Sequence, residues 1–119
     1  MDFEKALGYI SRVSYQDLYY KLEVRYYTLM IYYELSMFNE AYDLIESYRK
    51  FMIKNKLLNT QLNSKHLTFI KFSKELLRLK STGNTKKIPQ IEKAIKNAKY
   101  ILHSPWLLKK LEELDKSSK

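Results

Sequence analysis

The two histidines, His66 and His103, are the residues best equipped for acid–base or metal chemistry in a 119-residue chain that has no cysteine. They stand far apart in sequence with no paired carboxylates beside them, whereas a metal ion needs three or four convergent ligands. Neither a metal site nor a catalytic base is therefore expected. His66, next to Leu67, reads as the partly buried polar tip of a helix. His103 reads as a helix C-terminal residue, where a protonated ring suits the helix dipole. Glu112 and Glu113 are adjacent, so on a helix they point about 100° apart, a poor geometry for shared proton transfer. Gly8 and Gly83 are isolated, which leaves no glycine-rich phosphate loop, and no serine or threonine sits in a nucleophile elbow. A protein that is not an enzyme and carries no cofactor is the expectation.

Binding chemistry is better represented. Eleven tyrosines offer broad contact area with a polar tip. Most fall on stripes that pack helix against helix, and Tyr19 and Tyr26 are expected to reach a concave face and meet a partner. Net charge is +9, divided as −4 over residues 1–48 and +13 over residues 49–119. Lys71, Lys74 and Arg78 share one helical face, and Lys93 and Lys96 follow nearby, a set able to hold phosphates without reading sequence. Of the 18 basic residues in that half, 16 are lysine. Arginine is the better phosphate clamp, and aromatic residues do not interleave with the lysines. Nucleic acid or another acidic surface is thus the second reading, behind another protein or a peptide.

Helices must position these residues, because two glycines and two prolines leave few sites for the tight turns of a sheet. Apolar spacing predicts a first helix over 15–35, with Leu18, Leu22 and Leu29 on one face and Tyr20, Val24, Tyr27 and Ile31 on another. Two apolar faces imply neighbours on both sides. Further helices are expected over 38–55, 60–80 and 88–102, the last with Ile88, Ile91, Ile95, Ala98 and Leu102 as its seam. Residues 81–85 form the clearest loop, and Ser104-Pro105 starts a short helix reaching 115. A frayed tail is expected over 116–119. The N-terminus carries acidic residues and no continuous apolar core, so no signal peptide is expected there, and no stretch approaches a membrane span. With no cysteine, a cytoplasmic location is expected.

Phe3-Glu4-Lys5-Ala6 and Phe38-Asn39-Glu40-Ala41 align at an offset of 35 residues, which also brings Ile10 onto Ile45. With Tyr32, Phe38, Ala41, Ile45 and Tyr48 at its aromatic and small packing positions, the sequence resembles the tetratricopeptide repeat. More narrowly it is similar to the C-terminal end of a group of bacterial tetratricopeptide-like proteins not tied to one reaction or ligand. That likeness rests on Ile31-Tyr32-Tyr33-Glu34-Leu35, on Leu44 to Phe51, on Phe69-Ile70-Lys71-Phe72 and on Trp106 to Leu114. The departures are Leu29 at a usually small position, Ser36 for the turn glycine and Ile53 for the customary proline. The resemblance implies an all-α, right-handed superhelical array of antiparallel helix hairpins with a short C-terminal capping helix, serving protein interaction or scaffolding. Residues 1–119 then form a single tetratricopeptide-like domain, the C-terminal fragment of a longer array. Residues 3–13 match only the second helix of a hairpin, so a homodimer through the exposed N-terminal repeat face is a further expectation.

Overall fold

The structure, a computed structural model, describes residues 3–55 and 60–117, with side chains from Gln16 onward. It consists of five helices: α1 (Phe3–Glu34), α2 (Phe38–Lys54), α3 (Thr60–Thr82), α4 (Ile88–Asn97) and α5 (Ser104–Ser117). Among the described residues there is no strand. The matching of Phe3, Ala6 and Ile10 to Phe38, Ala41 and Ile45 concerns side chains outside the described set, as do Tyr9 and Tyr15.

α1 is one helix of 32 residues, about 48 Å at 1.5 Å per residue. The expected break before residue 15 is absent. Residues 3–13 therefore continue into the next stretch rather than forming the second arm of a separate hairpin. Val13-Ser14-Tyr15 contains neither glycine nor proline, so nothing local ends the helix there. It ends instead at Ser36, in the left-handed region with φ 56°. The Ser36 N–H bonds the Tyr33 carbonyl at 3.1 Å and the Met37 N–H bonds the Tyr32 carbonyl at 2.9 Å. This is the double closure of a Schellman turn, made here by a serine in place of the usual glycine.

α2 returns along α1 and also packs on α3. Leu18, Leu22, Leu29 and Tyr33 from α1 meet Ala41, Ile45, Tyr48 and Met52 from α2, all buried. Each large apolar side chain so buried contributes roughly 1.5–3 kcal/mol. α3 adds Phe69, Ile70, Phe72, Leu76, Leu77 and Leu79 to the same core. It closes on Gly83, whose φ of 71° and N–H bond to the Leu79 carbonyl at 2.8 Å form the left-handed cap expected there. Asn84 Oδ1 then accepts from the Lys86 N–H at 3.1 Å, tightening the loop.

The C-terminal third departs from the sequence reading in three ways. α4 stops at Asn97, and Ala98 is extended with ψ 126°, so Ala98 and Leu102 lie beyond the helix although their spacing continues its seam. α3 and α4 barely touch, and α5 packs on both of them instead. α5 runs to Ser117, with Lys116 paired to Glu112 at 2.9 Å, so residues 116 and 117 are helical rather than frayed. Ser118 and Lys119 lie outside the described residues.

Candidate functional site: an exposed apolar stripe on α1

The two apolar faces read on the first helix have different fates. The face carrying Leu18, Leu22, Leu29 and Tyr33 is buried. The opposite face carries Tyr20, Val24, Tyr27, Ile31 and Leu35, whose exposure ranges from 46% at Val24 to 67% at Tyr20. These five recur at steps of four, three, four and four residues, so on a helix they form one stripe about 22 Å long. Placed there, they give up on the order of 500 Å² of apolar and aromatic surface to solvent, in the range of patches that mark contact sites. The expectation of neighbours on both sides of this helix is corrected within the chain: one side is bare.

Polar side chains border the stripe. Asp17 pairs with Lys21 at 3.0 Å. At the far end Glu34 bonds the Lys110 ammonium of α5, which Glu113 also holds at 3.1 Å. Burial works against the Lys110 charge, but these two carboxylates outweigh it and keep its pKa above the ordinary lysine value. Lys80 from α3 donates to the Tyr33 carbonyl at 2.5 Å and to the Glu34 carbonyl at 3.4 Å. Two cations thus fasten the C-terminal turn of α1, where the dipole favours them, and hold the stripe on a rigid support.

Of the tyrosines expected to meet a partner, Tyr19 is exposed. Tyr26 is half-buried, its ring centroid 4.5 Å from those of Tyr27 and His103 and 6.4 Å from that of Phe69. Burial, then the neighbouring Tyr27, pushes its phenol up to about 12. Tyr26 thus serves packing beneath the stripe. Sequence reasoning singled out Tyr19 and Tyr26 and treated Tyr20, Val24, Tyr27 and Ile31 as interior. The signal for the reverse was present, since those four form a complete second face.

The histidines belong to a buried aromatic cluster. His66 is fully buried, not a partly exposed tip, and its Nδ1 lies 2.5 Å from Tyr48 Oη. Burial drives the Tyr48 phenol far above its usual pKa, so the phenol stays protonated and donates, and His66 is the neutral Nε2–H tautomer. Burial, followed by the nearby His103, lowers the His66 pKa to about 4. His103 is corrected too. It has φ 56° and accepts the Leu107 N–H at 3.1 Å, so it caps the N-terminus of α5. Burial lowers its pKa, in accord with the positive end of a helix dipole. Among the described residues no group of three or more His, Cys, Asp or Glu is placed to hold a metal ion, and no helix is long and apolar enough to cross a membrane.

Lys71, Lys74 and Arg78 lie on α3 and Lys93 and Lys96 on α4, helices that barely meet. Arg78 pairs with Glu75 at 3.2 Å and Lys96 with Glu92 at 2.9 Å. Lys96 and Glu92 also rim an open groove of about 500 Å³ between α4 and α5, floored by Ile88, Pro105, Leu108 and Leu111. The chain matches no protein-family model, no curated protein and no solved structure.

Proposed function

We propose that this chain is a non-catalytic protein-interaction module, tetratricopeptide-like in character, that meets its partner through the exposed stripe of α1. The bare face of Tyr20, Val24, Tyr27, Ile31 and Leu35 carries this reading. Large apolar side chains gathered on one rigid helix cost solvation free energy unless something covers them. Tyrosine at two of the five positions suits a contact that is wetted when free and dry when bound. A cysteine-free composition agrees with a cytoplasmic setting.

The test is capture on the immobilised chain after nuclease treatment and a high-salt wash, comparing wild type with Tyr27→Glu, whose fold is checked by circular dichroism. A protein retained by wild type and lost with Tyr27→Glu supports the stripe. Retention that vanishes with nuclease or salt and is indifferent to Tyr27→Glu replaces this reading with polyanion binding through the Lys-rich helices.

A further inference from the structure

We infer that the start of α5 is an acid-operated joint: protonation of His103 lifts residues 98–107 off α1 and α3 while the core of α1, α2 and α3 stays folded. The inference stands apart from the reading of the α1 stripe as a contact surface. The joint is built around the His103 ring. Its centroid lies 4.5 Å from that of Tyr26 and 6.1 Å from that of Tyr27, both on α1, and 5.7 Å from that of Phe69 on α3. Its Nε2 is buried with no protein hydrogen-bond partner. Its backbone is left-handed at φ 56°, a conformation that strains a residue with a Cβ. The docked position thus carries an unmet polar atom and backbone strain, and release relieves both.

The fold lets this end move by itself. α4 makes its helix contacts with α5, and α5 in turn packs on α3, so the α4–α5 hairpin is attached through one of its two helices. Residues 98–103 between them are not helical, and Ala98 is extended. Two turns beyond His103, Lys110 is bonded by Glu34 and Glu113. The far end of α5 therefore has its own tie to α1, and His103 governs the near end.

The surroundings of His103 are poor in negative charge. α1 offers the phenols of Tyr26 and Tyr27, and its Glu23 acts on the Tyr26 phenol. α3 offers His66, a second imidazole, bonded to Tyr48 of α2, and Arg25 of α1 adds a cation near Tyr48. α5 offers Trp106 and the positive end of its own dipole. Burial accordingly holds the His103 pKa below the ordinary histidine value, whereas a released ring titrates near 6.5. The released state is the one that takes up the proton, so docking is complete above about pH 6.5 and weakens as pH falls below it. Release also withdraws the His103 ring from Tyr27, a member of the exposed stripe.

Hydrogen exchange on the full chain at pH 7.5 and 5, over a series of low urea concentrations, tests the joint. Corrected for the intrinsic pH dependence of exchange, opening at the Leu107 amide, which bonds the His103 carbonyl, is expected to rise several-fold at pH 5. The ceiling is about 30-fold, the ratio for an imidazole that titrates near 6.5 when released and takes no proton when docked. Urea should scarcely promote that opening, because little surface is exposed, whereas the amides of Tyr48 and Met52 in α2 should open with the strong urea dependence of global unfolding. His103→Asn keeps a residue that tolerates the left-handed backbone and does not titrate. It should abolish the rise at Leu107 and leave the acid response of the α2 amides in place. If the substitution loosens α5 by itself, Leu107 opens more at both pH values, and the ratio between them still reports the titration. Opening at Leu107 that is equal at the two pH values overturns the inference. So does a rise that persists in His103→Asn, or one that shares the urea dependence of the α2 amides.

Discussion

Tyr48 and His66 share a hydrogen bond where the core admits almost no water, and that burial makes the fold sensitive to mild acid. His66 titrates at about 4 in the folded chain and near 6.5 in an unfolded one. Between those values the unfolded chain binds the extra proton, so stability is whole above about pH 6.5 and falls as pH drops towards 4. A shift of that size corresponds to about 3 kcal/mol in full and roughly 2 kcal/mol by pH 5. Urea midpoints at pH 7.5 and 5 should differ accordingly. His66→Gln should remove most of the difference, with the remainder due to His103, which burial shifts in the same direction. Ser36 offers a second residue-scale test. Its left-handed backbone, φ 56°, strains any side chain with a Cβ, and Ser36→Gly should raise stability by about 0.5–1 kcal/mol after the added freedom of the unfolded glycine is deducted. A lower urea midpoint for that variant would contradict the Schellman assignment.

The hairpin of α1 and α2 depends on close approach and on a tied-down end. Ala41 is fully buried at the crossing, leaving no volume for a larger side chain. Ala41→Trp should cost at least about 3 kcal/mol, whereas Lys74→Ala should change stability by less than about 0.5 kcal/mol. Equal melting of Ala41→Trp and wild type would mean that the two helices do not cross there. Lys80 links α3 to α1 by capping the Tyr33 and Glu34 carbonyls while its ammonium stands 4.4 Å from the Tyr33 ring centroid. Lys80→Met keeps the stem and removes the charged donor. It should cost about 1–2 kcal/mol, and hydrogen exchange should quicken first in the last turn of α1.

The whole molecule is long and narrow, 67 × 29 × 20 Å, because its longest helix outreaches the helix that pairs with it. Charge is uneven along it, −4 over residues 1–48 and +13 over residues 49–119.

The sequence by itself determined that the chain is helical, where α2 and α3 lie, and the turns at Ser36 and Gly83. Those features follow from local chemistry: few glycines and prolines, 3.6-residue spacing, and residues suited to left-handed caps. It also contained the continuity of α1, since no breaker stands between Val13 and Tyr15, although the repeat alignment of Phe3 with Phe38 placed a boundary there. Tertiary structure alone decided that α4 stops at Asn97, since Ala98 and Leu102 keep helical spacing beyond it. It alone decided that His103 caps α5 within a ring cluster drawn from α1, α3 and α5. It also decided which apolar face of α1 is covered. Periodicity tells a helix how many apolar faces it has; which of them finds a neighbour depends on where distant helices pack, and the single chain contains helices enough to cover one.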